Sequence, residues 1–363
     1  MVSALKPYDA VVLISFGGPE APEEVNPFLH RVTAGRGVPQ ARLDEVAEHY
    51  LARGGVSPIN AETRTLAQAL RIELARRGVA VPLEVGNRNS APFLTDTLRR
   101  LVAGGARRIL SLTTSAYPSY SSCRQYLDDV AAARADLAGG EAPEGAVVVD
   151  KIRHYAHHPG FVAANVAAVT SVLGEPSTRP PHVVFVTHSL PLTLAETSGP
   201  PPWAAPSAYV QWHRTLAHQI TEQTSRATGQ ALEWSLAYCS RSGPPHQSWL
   251  EPDVNDLLTE LHRQGVEEVI LAPIGFTSDH MEVVWDLDEE AAPHGRALGL
   301  TVRRAETARA HPAFVSGLVD LLFERAAVTR GEQVESAVIA HGDPGWAVCR
   351  SDCCPRPIRP GRF

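Results

Sequence analysis

Short unbroken apolar runs alternate along this chain with longer stretches in which apolar residues recur at helical spacing. The first run, residues 8–16, has strand length and ends at Gly17-Gly18-Pro19. A run without polar alternation fits a parallel strand buried on both faces. Residues 43–50 and 61–77 carry the helical period, and the second stretch halts at Gly78, the residue type that ends helices most readily. Further strands are predicted at 83–86, 108–113, 146–150, 182–187, 231–237 and 268–271, most of them separated by helical pattern. This βαβα order predicts an α/β protein. The strands form two sets on either side of a Gly/Pro/Ser/Thr-rich stretch at 174–181. The expected architecture is two Rossmann-like, doubly wound domains whose parallel sheets face a central cleft. The first spans 1–173 and the second 182–330, with a cysteine-containing tail at 340–363. Ser198-Gly-Pro-Pro-Pro-Trp203 reads as a surface excursion, and no short tandem repeat suggests a solenoid.

Composition narrows the function classes. Lys and Arg total 33 against 40 Asp and Glu, a net charge of -7, which argues against a nucleic-acid binder with its concentrated basic surface. No apolar run approaches the roughly 18 residues of a membrane span, so stable membrane insertion is not expected. The opening stretch has one lysine and runs straight into a strand. It lacks the apolar core and cleavage site of a secretion signal, and a cytoplasmic location is expected. Five cysteines are an odd number for a disulfide framework. Cys123 and Cys239 stand alone, whereas Cys349, Cys353 and Cys354 crowd the C-terminal end.

In open α/β sheets ligands collect beyond the C-terminal ends of the strands, so the residues after each apolar run carry the functional signal. Phe16-Gly17-Gly18-Pro19 is not the G-x-G-x-x-G fingerprint, and its proline removes an amide that would cradle phosphate. It is either a tight turn or a loop facing substrate. The strand at 182–187 delivers His188, whose neutral imidazole accepts a proton or binds a metal near pH 7. Taken alone, a structural histidine is the competing reading. After the strand at 268–271 come Glu282, Asp286 and Glu290, spaced every four residues. On a helix they share a slowly drifting face, which a slight unwinding toward π geometry would align. A solvated acidic face is the plain reading. A row of carboxylates at a strand exit also suits a hard divalent cation moving between oxygen ligands. With His188 it suggests metal insertion into a porphyrin, which must lose two pyrrole protons as the metal enters.

These segments resemble the ferrochelatase family. The matching stretches are Ser15-Phe-Gly-Gly-Pro19, Tyr50-Leu-Ala-Arg-Gly-Gly-Val-Ser57-Pro58, Thr187-His188-Ser189-Leu190-Pro191, Trp249-Leu-Glu-Pro-Asp253 and Gly275-Phe-Thr-Ser-Asp279-His280-Met-Glu282. They occur in family order between residue 11 and about 325. The resemblance implies that His188 and Glu282 handle metal and protons, and that Asp286 and Glu290 continue the acidic path on a π-distorted helix. It implies tetrapyrrole contacts at Ser57 and Tyr126, with Tyr50 and Tyr120 as further candidates. Phe16 stands where many bacterial relatives carry tyrosine, so a phenol–metal contact from that wall is not implied, although ring stacking is. The stretch 33–42 is short of bulky apolar residues, and Gly86-Asn-Arg-Asn89 looks like the coproporphyrin branch. Coproporphyrin III is therefore the implied substrate over protoporphyrin IX, Fe2+ the implied metal, and a downstream haem-pathway enzyme the implied recipient of product. A cobalt or nickel chelatase and a non-catalytic haem or Fe–S sensor are the competing functions.

Gly345-Trp-Ala-Val-Cys349-Arg-Ser-Asp-Cys353-Cys354-Pro355 resembles the C-terminal segment that holds a 2Fe-2S cluster in some ferrochelatases. Four thiolates are required. The resemblance implies Cys349, Cys353 and Cys354 from the tail and Cys123 from the N-terminal half, with Cys239 as second choice for the fourth. A zinc site and a Pro/Arg-rich free end are the alternatives, and the vicinal pair Cys353-Cys354 is awkward for any single site.

Overall fold

The computed structural model describes residues 4–35, 37–137, 147–175, 177, 179–243 and 247–356. Its strands are β1 (Ala10–Ser15), β2 (Leu83–Asn87), β3 (Arg108–Thr113), β4 (Val148–Lys151), β5 (His182–His188), β6 (Trp234–Cys239), β7 (Glu268–Ala272) and β8 (Thr301–Arg304). They form two four-stranded sheets of order β2-β1-β3-β4 and β6-β5-β7-β8, and every strand pair is parallel. The two halves thus share one doubly wound topology, as the apolar rhythm predicts. Strand β1 is buried along its whole length, which is why its sequence lacks polar alternation.

Two strand expectations change. Strand β6 begins at Trp234 rather than 231, because Trp234–Cys239 is the stretch in register with Val183–His188. Strand β8 is absent from the sequence reading. Its sequence is Thr-Val-Arg-Arg and only Val302 is buried, so it shows no apolar run. Residue 146, placed in a strand by the pattern, lies outside the described residues, as do 357–363 of the tail.

The helices are α1 (Pro22–Thr33), α2 (Gln40–Leu51), α3 (Ile59–Arg76), α4 (Leu94–Ala103), α5 (Gln125–Leu137), α6 (Pro159–Ser171), α7 (Leu192–Glu196), α8 (Ala208–Thr228), α9 (Val254–Arg263), α10 (Met281–Val284), α11 (Ala292–Ala297) and α12 (Pro312–Thr329). Two π segments, Tyr120–Arg124 and Trp285–Ala291, run directly into α5 and α11. Helix α12 is last in the chain yet packs on α3 and α6. Arg77 donates to Ser316 there, and Arg325 pairs with Asp150 at 3.0 Å. One apolar core runs from β1 and α3 through α6 and α8 to α12, so both halves share it. No helix among the described residues is long and apolar enough to cross a membrane.

The stretch at 198–203 is only partly the surface excursion its prolines suggest. Ser198 is buried and Trp203 is exposed. Burial at its start has a cause in the tail: Cys354 N–H donates to the Gly199 carbonyl at 2.9 Å, and Gly199 N–H donates to Cys354 Sγ at 3.1 Å.

Candidate active site

In each sheet the first strand lies between the second and third, so the chain changes winding direction beside β1 and β5. Crevices open at such switch points, beyond the C-terminal strand ends. On the first half the crevice is walled by the loop after β1. Asn60 holds Gly18 by donating to its carbonyl at 2.8 Å and accepting its N–H at 3.2 Å. Gly18 packs so closely on Ser57 that a Cβ there would sit 2.6 Å from the Ser57 Cβ. Phe16 meets Phe28 edge-on, and Phe28 packs on Tyr50.

On the second half, β5 ends at His188 and β7 leads into the segment that carries the acids. Gly275 lets these strand ends close up: its N–H donates to Val186 O at 3.1 Å, and a Cβ would sit 2.7 Å from the Thr187 Cα. His188 Nδ1 bonds the Ser189 carbonyl. A carbonyl only accepts, so Nδ1 carries the proton and Nε2 presents its lone pair. That Nε2 stands 3.8 Å from Glu282 Oε2, with both side chains partly open to solvent. The His188 backbone is also anchored, since Tyr209 donates to its carbonyl at 3.0 Å.

The acids do not form one uniform row. Glu282 opens α10. Asp286 lies in the π segment Trp285–Ala291, turned inward so that Ser240 donates to it. Burial pushes its carboxyl up to about 6; the Ser240 bond opposes this and the charges of Glu282 and Glu290 add to it. Glu290 accepts from Trp285 Nε1 at 2.7 Å, and the Trp285 ring stacks on His49 at 3.9 Å. Arg53 pairs with Glu289 beside them. Helix α2 and the turn after it therefore close against the π segment through His49 and Arg53, neither of which the sequence singles out.

The expected tetrapyrrole contacts are spread over the first half. Tyr50 is buried, and burial followed by the Glu282 charge pushes its phenol far up. Tyr126 is buried beneath Arg88, whose guanidinium lies 4.7 Å from its ring and 5.6 Å from that of Phe16. Arg88 in turn pairs with Asp129. Tyr120 is partly exposed, and its hydroxyl donates to Asp128 at 3.2 Å. Arg88 escapes the motif reading even though it sits within Gly86-Asn-Arg-Asn89, because one arginine after a strand has no spacing partner to mark it.

The tail cysteines meet Cys123. The Cys349 thiol is within hydrogen-bonding reach of both Cys123 and Cys353, and the Cys353 and Cys354 sulfurs are 3.8 Å apart. Arg124 ties the tail down by donating to the carbonyls of Arg350 and Cys353 at 2.6 and 2.9 Å. Hydrogen bonding from Cys349 lowers the Cys123 thiol well below its usual range against the penalty of burial, aided by His154 and Lys151. His154 is itself buried, beside the Cys123 thiol. Cys239 lies apart, against Ser240 and Asp286. The four thiols form a chain of neighbours, not a closed cage. Among the described residues no three His, Cys, Asp or Glu are grouped to hold a metal ion. Four sulfurs are the donor type that an Fe–S group takes.

A family model for ferrochelatase matches residues 8–326. Coproporphyrin III ferrochelatase of Streptomyces coelicolor is 48% identical over 355 residues, covering 96% of this chain and 94% of that protein. A ferrochelatase of Rhodopirellula baltica is 41% identical over 370 residues, covering 99% of each. Among solved structures, SirB from Bacillus subtilis with Fe3+ aligns with a TM-score of 0.50 at 13% identity, covering 89% of this chain and 97% of that one. That likeness speaks for the fold alone. With the family model spanning both sheets, and the relatives nearly the whole chain, this protein belongs to the ferrochelatase family.

Proposed function

We propose that this enzyme inserts Fe2+ into coproporphyrin III, releasing two protons per metalloporphyrin formed. The carrying observation is the meeting of His188 Nε2 and Glu282 at 3.8 Å between the ends of β5 and β7. His188 accepts pyrrole protons at Nε2, since Nδ1 is committed to Ser189 O. Glu282, half exposed, passes them to solvent and balances the charge of the entering cation. Asp286 and Glu290 extend the oxygen ligands along the π segment, with Asp286 kept dry and Glu290 wet. Iron is a substrate here, and oxygen ligands of graded exposure suit a hard cation that must arrive and leave.

Ser57, Phe16, Tyr50, Tyr120 and Tyr126 supply the tetrapyrrole wall in this reading, and Arg88 gives it a cation for propionate. Support for coproporphyrin III comes from relatives of that name at 43–48% identity over 96% of the chain. A substrate with four propionates is water-soluble, in keeping with a cytoplasmic enzyme that hands its product to a later enzyme of haem synthesis. The division into 1–173, 182–330 and 340–363 is retained as the working domain scheme. For the tail we propose a 2Fe-2S cluster held by Cys123, Cys349, Cys353 and Cys354, where it would pin the C-terminal end to the π segment Tyr120–Arg124. Insertion of ferrous iron needs no electron from it.

Anaerobic turnover with Fe2+, offering coproporphyrin III and protoporphyrin IX separately, tests the proposal. Preference for coproporphyrin III supports it. Preference for protoporphyrin IX keeps the reaction and overturns the substrate.

A further inference from the structure

The segment between β7 and α10 is held to the first half at three points. Tyr117 donates to Ile274 O at 2.6 Å, Thr277 donates to Thr114 O at 3.1 Å, and Asp279 N–H donates to Glu62 Oε2 at 2.8 Å. The third is the nearest to Glu282. Glu62 lies in the first turn of α3, in the first half of the chain. Its other oxygen faces Arg309 Nε at 3.2 Å. Arg309 and Arg304 both grip the Asp279 carboxylate, Arg309 at 2.9 Å. Arg304 also faces Asp288 at 3.1 Å, inside the π segment. One partly buried ionic network therefore runs from α3 through Asp279 to the π segment.

We infer that Glu62 is a positioning residue for metal insertion: by fixing the Asp279 backbone it sets where α10 begins, and so where Glu282 stands relative to His188. The inference rests on the assignment of Glu282 above. A carboxylate here is costly. Burial, then the neighbouring Asp279 charge, pushes its carboxyl up to about 7. What the carboxylate gains at this site is the bond from Asp279 N–H and the pair with Arg309. Its amide analogue keeps one acceptor oxygen for Asp279 N–H and gives up the charge pair with Arg309, whereas alanine keeps neither.

The test compares Glu62→Ala and Glu62→Gln in the full chain, with ferrous iron and coproporphyrin III under anaerobic conditions. A slight displacement of a reacting group costs one to two orders of magnitude in rate, so Glu62→Ala is expected to lower kcat about tenfold. The porphyrin KM should stay within about twofold, because the porphyrin wall is untouched. Glu62→Gln should recover most of the rate. Amide hydrogen exchange at residues 279–284 should quicken in the alanine variant alone. An unimpaired Glu62→Ala, or a folded Glu62→Gln as slow as the alanine variant, overturns the inference. Full turnover by Glu282→Gln, run in parallel, would overturn the assignment of Glu282 and the inference with it. A slow Glu282→Gln beside an unimpaired Glu62→Ala overturns the inference alone.

Discussion

Replacing His188 by alanine isolates the base. The imidazole is one-third exposed and its one internal hydrogen bond is to the adjacent Ser189 carbonyl. Truncation therefore removes little packing and frees one partner, the carbonyl of buried Ser189. The backbone stays anchored, because Tyr209 bonds the His188 carbonyl and not its ring. What disappears is a lone pair 3.8 Å from Glu282. Loss of a positioned general base typically costs 10²–10⁴ in rate, so kcat should fall by about that factor, or roughly 3–5 kcal/mol of transition-state stabilisation. Coproporphyrin affinity, followed by quenching of porphyrin fluorescence without metal, should change by less than about threefold, since uniform binding is unaffected. The assay is the anaerobic shift of the porphyrin absorption band on adding Fe2+. Turnover within about threefold of the parent enzyme would refute the assignment, because no base in this class contributes so little.

Glu282→Gln should abolish insertion while leaving porphyrin binding intact, since an amide neither takes up a proton nor balances a cation; full turnover in the absorption assay would remove Glu282 from the path. Cys349→Ser should give colourless protein if Cys349 bridges Cys123 and Cys353 as a cluster ligand, and an unchanged visible spectrum would rule out the cluster. Complete burial lowers the His213 imidazole to about 3, from about 6.5 in the unfolded chain. A lowered folded value means its stability contribution is present above pH 6.5 and is lost as pH falls toward 3. His213→Gln should therefore flatten the pH dependence of urea stability by about 1.4 kcal/mol per pH unit across that window. Parallel curves for parent and variant would contradict it.

What the sequence makes legible follows from how much of each feature is local. Strand β1 reads as a strand because both its faces are buried, and β5 points to His188 because a strand end in this topology is a cleft wall. Strand β8 is invisible because an edge of four residues with one buried side chain has no period to detect. The acids at 282, 286 and 290 are legible as a spacing, and the π segment Trp285–Ala291 fits it. Their unequal surroundings are not, since Ser240 and Trp285 reach Asp286 and Glu290 from different directions. The tail cysteines stand out by crowding, but Arg124 and Gly199, which dock them, are ordinary residues whose partners lie 226 and 155 positions away.

Glu62 shows why such residues stay hidden. An acid in the first turn of an amphipathic helix is what the helix dipole favours anyway, so its sequence context has a sufficient local explanation. Only the fold reveals that the turn faces Asp279, two arginines and the start of α10. The same reasoning ranks the site's parts. His188 ends β5, and Glu282 lies on α10, which follows β7, the strand paired with β5. The residues proposed for the tetrapyrrole wall lie on helices and loops of the first half. The contacts of Glu62, Tyr117 and Thr277 hold the segment after β7 to the first half, so residues outside the second sheet should help set how Glu282 stands relative to His188, and Glu62→Ala should lower kcat while the porphyrin KM holds.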